Sequence, residues 1–320
     1  MRGSVSRTGM VMALLLGILL LAQAAPALHV DGVKILMDVR PGMTYTYPMG
    51  VSIDQNDPAT AIAVEVMGFG QSDDGSYNQV LTADDTGPYS ARPFVSVEEP
   101  VIRLGPGGSR SFNATIRVPA DAAPGGYYAT IYVHPQAEAV GSTGAGVVTA
   151  ILVPVMLTVQ GGTVEETGAI TGIRAAEPAQ VLVTLENTGN HHFYGAMAGV
   201  TVTDAAGNLV ATGSSKPSVW ALVPGGKMSL KVPLNPALPP GTYRVKAEAR
   251  ITEAGTILDT KTVTLTLGAA ALGAVITQSS GGAPGTPASP EERGIPGPDP
   301  VAITVFISAA ILLWSVRSRR

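Results

Sequence analysis

LGPGGSRSFNATIRVPADAAPGGYYATIYV, residues 104–133, holds two strands and the two turns that set them. Pro106-Gly107-Gly108 is a turn, with proline fixing φ and glycine permitting positive φ. Phe112, Ala114, Ile116 and Val118 then alternate with Ser111, Asn113, Thr115 and Arg117, the period-2 pattern of a half-buried strand. Pro119 ends that strand and Pro124-Gly125-Gly126 turns the chain again. Tyr127, Ala129, Ile131 and Val133 next alternate with Tyr128, Thr130 and Tyr132. A similar phrase returns later as Leu222-Val223-Pro224-Gly225-Gly226, then Leu230, Val232-Pro233 and Pro240-Gly241-Thr242-Tyr243. Both copies set a Gly-x-Tyr at the head of a strand, where each tyrosine could form a tyrosine corner. The repeat predicts an all-β protein of two tandem immunoglobulin-like β-sandwiches.

Composition agrees with that reading. A chain of 320 residues has room for two ordinary domains, and 45% hydrophobic residues against 14% charged supply real cores. The 38 Gly and 25 Pro suit many short strands and tight turns and exclude a helical protein. A net charge of −4 gives nucleic acid no electrostatic footprint. With no cysteine, disulfides, thiolate catalysis and thiolate metal sites are all excluded.

The two ends read as membrane elements. Arg2 and Arg7, an apolar run at 10–21 and Ala22-Gln23-Ala24 are the three parts of a secretory signal peptide, the alternative being an uncleaved anchor. Residues 301–316 are uncharged, carry Trp314, and precede Arg317, Arg319 and Arg320. At 1.5 Å rise this run reaches about 24 Å, against a hydrocarbon core of about 30 Å. Its terminal arginines obey the positive-inside rule, so the C-terminus is expected in the cytoplasm and the domains outside the cell membrane. A processed sorting tail is the alternative, although no LPxTG-type motif is present. The expected organisation is a signal peptide at 1–24, a first sandwich at 25–160 and a second at 163–268. A Pro/Gly/Ser-rich stalk at 269–300, a single transmembrane helix at 301–316 and a basic tail at 317–320 follow.

Within the first sandwich, 33–37 reads as an opening strand, and Met43, Tyr45, Tyr47 and Met49 alternate with threonines. Pro154, inside the β-branched run at 147–159, marks an edge strand or a bulge. Gly161-Gly162 reads as a hinge. In the second sandwich, Asp204-Ala205-Ala206-Gly207-Asn208 reads as a hairpin turn, and Tyr243, Val245, Ala247, Ala249 and Ile251 alternate with four charged residues. One face of that strand is core and the other water.

A catalytic constellation is absent from the sequence, and no cofactor is expected. There is no G-x-S-x-G, H-E-x-x-H or phosphate-cradling loop. His29 and His134 have no nucleophile nearby, and His191-His192 reads as a solvated loop, with metal binding as the alternative. Adjacent residues on an extended chain point to opposite faces, which argues against one shared ion. Residues 70–93 read as a long irregular loop and as the candidate binding loop, through Asp73, Asp74, Tyr77, Asp84, Asp85 and Tyr89. Tyrosine suits binding loops because it offers large area at little rotamer entropy. The four carboxylates could also take calcium, although their spacing matches no D-x-D-x-D loop. Asn113-Ala114-Thr115 is a glycosylation sequon with Asn113 on the water face of its strand.

The two-domain plan, Ser72-Asp73-Asp74-Gly75-Ser76-Tyr77-Asn78, Leu104-x-Pro106-Gly107, Pro124-Gly125-Gly126-Tyr127-Tyr128 and the C-terminal span resemble the WxL-interacting protein family. The resemblance implies a first immunoglobulin-like domain associated with the cell wall and a second that engages other surface or host proteins. It covers roughly residues 30–268. The leading expectation is therefore a non-enzymatic, membrane-anchored surface protein that binds envelope polymer or another surface protein, for adhesion or envelope organisation. The alternative is a pilus-type chaperone that offers an edge strand to a client. An enzyme or inhibitor displayed on a sandwich is a third class, for which no residues present themselves.

Overall fold

The computed structural model describes residues 27–32, 34–136, 149–177, 179–252 and 255–267. The expected signal peptide, stalk, transmembrane helix and basic tail lie outside these residues. Among the described residues no helix is long and apolar enough to cross a membrane. The described chain is all-β, built of sandwich-like sheets, with strands numbered below in chain order.

Around the first core, β1 (His29–Asp31), β3 (Thr44–Ser52), β8 (Ser109–Arg117) and β6 (Val95–Val97) form a four-stranded sheet in the order β1-β3-β8-β6. The facing sheet runs β2 (Ile35–Val39), β10 (Ile151–Val159), β9 (Gly125–Pro135), β4 (Thr60–Gln71) and β5 (Tyr77–Val80). β7 (Val101–Leu104) pairs with the start of β4 on the side that β5 occupies at its end. The expected alternation holds in β8, where Phe112, Ala114 and Ile116 are buried and Ser111 and Arg117 are exposed. These side chains meet Ile35, Val51, Ile62, Ile102, Ile131, Val155 and Leu157 in one core. A single segment serves both sheets. β1 pairs antiparallel with β3, and after Gly32 the chain crosses over so that β2 pairs parallel with β10. The φ of +89° at Gly32 is a left-handed turn that a side chain would strain.

The second core is wrapped by a seven-stranded run in the order β11 (Gly168–Glu177), β12 (Gln180–Asn187), β15 (Lys227–Asn235), β14 (Leu209–Ser214), β13 (Ala196–Thr203), β16 (Gly241–Ile251) and β17 (Thr256–Leu267). The β14–β15 join is only two residue pairs, Thr212 with Asn235 and Gly213 with Leu234. The two halves fold face to face across it, so that Val183, Leu185 and Val232 share a core with Val200, Val245 and Ala247. Tyr243, Val245, Ala247, Ala249 and Ile251 are all buried, as their alternation predicts. The Tyr243 hydroxyl donates to the Pro239 carbonyl at 2.8 Å, the corner expected there. Tyr127 makes no such bond. It packs on Phe94 at 5.0 Å between ring centroids. At the expected hairpin, Asp204 Oδ1 accepts from the Asn208 amide at 2.8 Å.

Two expectations about the first sheets need correction. Tyr128 and Thr130 occupy the face of β9 that simple alternation gives to water, yet they are 3% and 0% exposed. Residues 70–93 are not one long irregular loop either. They contain the end of β4, a tight turn, β5 and a 3-10 turn at Arg92–Phe94. Thr130 donates its hydroxyl to the Gly68 carbonyl at 3.2 Å, the Tyr128 backbone pairs with Tyr89 and Ala91, and β5 forms by pairing with the end of β4.

Candidate functional site

A third apolar cluster joins the two cores. Tyr128 and Met156 come from β9 and β10, Ala221 and Val223 come from the segment before β15, and Phe69, Tyr77, Tyr89 and Tyr194 pack around them. Its rings interlock, with Tyr77 at 4.8 Å from Phe69 and 4.9 Å from Trp220 between centroids. Such pairs contribute about 0.5–1.5 kcal/mol each beyond area burial.

Hydrogen bonds cross the same joint. Gln71 Nε2 donates to the Ala221 carbonyl at 2.7 Å, and the Ala221 amide donates to the Tyr77 hydroxyl at 2.8 Å. The Gly126 amide donates to the Asn190 carbonyl at 2.7 Å. Tyr128 Oη and His192 Nδ1 are bonded at 3.1 Å, and Thr158 Oγ1 and His191 Nε2 at 3.0 Å. Lys34, just ahead of β2, donates to the Tyr194 hydroxyl and also lies 4.7 Å from the centre of that ring. Burial pushes the Tyr77 hydroxyl up to about 12 and raises Tyr128 further. Burial, then repulsion from His191 and Lys34, lowers His192 to about 3. His192 is 5% exposed, so the expected solvated histidine loop is corrected to a buried contact. These hydroxyls and this imidazole stay neutral at neutral pH and hold the two bodies together.

The residues read as a binding loop are distributed differently from their sequence grouping. Asp73 gives its backbone carbonyl to the Ser229 amide at 2.6 Å, so it belongs to the joint. Asp74 accepts from the Ser76 hydroxyl at 2.6 Å and the Ser76 amide at 3.0 Å, which holds its carboxyl below the usual range. Tyr77 and Tyr89 pack into the joint, and the Tyr89 hydroxyl reaches the Gly189 carbonyl at 3.5 Å. Asp85 accepts from Ser90 at 2.6 Å and from Arg92 Nε at 3.1 Å, while Asp84 is exposed beside it. Among the described residues, no group of three or more His, Asp or Glu could hold a metal ion. Asn113 lies half-buried on the outer face of β8, with its Nδ2 bonded to Glu98 Oε2 at 3.1 Å. Gln71, Tyr194 and Trp220 were not singled out by the sequence, and Tyr128 and His192 were named there in other roles. An aromatic on the water face of β9, at Tyr128, was the available sign.

A different feature lies at the start of β10. β9 pairs with the whole of β10, residues 151–159, but β2 pairs only with 155–159. Residues 151–154 therefore have no strand on their outer side among the described residues. Pro154 falls in this one-sided stretch, as a proline that cannot donate to a ladder must. Val153 points into the first core, and Ile151 and Leu152 are half-buried. The ends of the second sheet are treated otherwise. Ile170 of β11 donates its amide to Asp259 Oδ2 at 2.7 Å and its carbonyl accepts from Lys261 Nζ at 2.9 Å, both from β17. Charged side chains thus satisfy that edge, a known guard against unwanted pairing.

No family model and no curated protein matches this chain. Solved structures do. It is similar to the class 5 fimbriae chaperone CfaA at 10% identity, covering 74% of this chain and 98% of that one, with a TM-score of 0.38. Similarity to the E. coli chaperone DraB is 15% identity over 75% and 98% of the two chains, TM-score 0.35. For the Salmonella enterica SafA pilin in complex with the SafB chaperone it is 12% over 76% and 99%, TM-score 0.36. These are a class 5 fimbriae chaperone, an E. coli chaperone and a pilin–chaperone complex. The likeness is one of fold, and the expectation of a membrane-anchored surface protein holding envelope polymer for adhesion is not carried further. Within the chain, the tyrosines chosen for that binding are spent on the joint.

Proposed function

We propose that this chain is a non-enzymatic, chaperone-type binding protein of two immunoglobulin-like sandwiches that takes up an extended segment of a client protein by strand addition on β10. The observation that carries the reading is the outer edge at residues 151–154, unpaired among the described residues, on a strand paired on both sides immediately afterwards. That edge spans about 13 Å at 3.3 Å per residue. Main-chain hydrogen bonds there supply affinity, and the side chains that alternate along the added strand supply selectivity. Because Val153, Ile151 and Leu152 surround the opening, the client segment is apolar at alternate positions. The chain itself opens this slot by moving from the β1 position on one sheet to the β2 position on the other.

Amide hydrogen exchange of the full chain with a nine-residue alternating Val-Thr peptide tests this. The amide of Leu152, which faces the same side as the Pro154 nitrogen, should slow, and the same peptide N-methylated along one edge should leave it unchanged. Equal protection by both peptides, or by neither, would sink the proposal.

A further inference from the structure

His192 is the one imidazole sealed between the two cores. It sits in the segment between β12 and β13 and is bonded to Tyr128 of β9 across the joint at 3.1 Å. The Tyr128 and Tyr194 rings meet it in T-shaped geometry at 5.7 and 5.5 Å between centroids, and the His191 ring lies tilted against it at 4.2 Å. The charged or titratable groups that face it are Tyr128 from β9, Lys34 from ahead of β2, and His191 and Tyr194 from its own segment. None is a carboxylate. Glu166 instead lies beside His191, with Oε1 at 3.4 Å from Nδ1. A proton on His192 would therefore be buried with no counter-ion and with a lysine close by, a costly arrangement.

We propose that the joint is an acid-releasable latch: protonation of His192 breaks its contact with Tyr128 and lets the two sandwiches part about the connector at residues 160–167. The two cores are separate, so each sandwich stays folded while the joint opens. The sign follows from linkage. The closed joint lowers His192 to about 3, by burial first and the neighbouring charges second, while in the open joint it returns to near 6.5. The closed form thus binds fewer protons than the open one. Its advantage is fully present above about pH 6.5 and falls as pH drops toward 3, by about tenfold per unit for one proton.

Amide protection in the full chain between pH 7 and 4 tests the latch. Gly126 and Ala221 report the joint, because their amides donate across it to Asn190 and Tyr77. Ile131 and Val183 report the two cores. The expected result is that protection factors at Gly126 and Ala221 fall severalfold to tenfold per pH unit below about 6, with the core amides unchanged. In both His192→Gln and His192→Phe that slope should vanish, whatever the absolute level, since neither side chain titrates. A flat profile in the native chain, or the same slope in both variants, would overturn the proposal.

Discussion

Tyr243 shows how much one side chain on a period-2 strand can be asked to do. Its ring fills the second core at 7% exposure, and its hydroxyl closes the turn before its own strand through Pro239. The two contributions separate by substitution. Tyr243→Phe keeps the ring and removes one hydrogen bond, and should cost about 1 kcal/mol. Tyr243→Ala also leaves a cavity and should cost about 3–5 kcal/mol. Urea unfolding read on the second core would resolve both, and equal losses would show that the ring contributes nothing. Tyr243 was legible in the sequence because alternation and a preceding Gly-x turn both pointed to it. Tyr127 has the same local signature and makes no corner, since the carbonyl its hydroxyl would need is a property of the turn's path.

At the scale of elements, alternation located the strands and left their partners open. β8 and β16 were readable residue by residue, because each has one face on a core and one in water. β9 was half-readable, since its second face is covered only where Tyr128 and Thr130 lie. Edges were marked by single residues: Pro154 in β10 was visible in sequence, whereas the Asp259 and Lys261 cover over Ile170 joins residues 89 and 91 positions apart. That cover yields a test. Asp259→Ala leaves the Ile170 amide without its acceptor on an edge strand, and an unpaired edge recruits other chains. Concentration-dependent association should rise in static light scattering relative to the native chain, with Asp259→Asn closer to native. An unchanged scattering mass would show that the edge is protected some other way.

In the whole molecule the decisive feature is the joint. It converts two sandwiches and a short connector into bodies with a defined contact. Gly125 is one of its tight points. The φ is +134°, and an added Cβ would lie 2.6 Å from the Asn190 carbonyl oxygen. Gly125→Ala should therefore loosen the joint by about 1–3 kcal/mol, through crowding and backbone strain together. The readout is faster exchange of the Gly126 amide with the core amides unchanged. Native exchange at Gly126 would mean that the contact is not tight in solution.

The amino-acid sequence by itself determined the all-β class, the burial faces of the regular strands, and the turns at Asp204 and before Tyr243. These depend on residues two to five apart, whose geometry the chain's own period sets. The tertiary structure alone decided the rest. Gln71 meets Ala221 across 150 residues, and Tyr77 meets it across 144, so no local pattern encodes either contact. For the same reason a tyrosine- and aspartate-rich stretch that looked like a free binding loop became the wall of a joint. A run of β-branched residues ending in an ordinary strand became the one-sided edge, because burial and pairing are properties of what the rest of the chain places alongside.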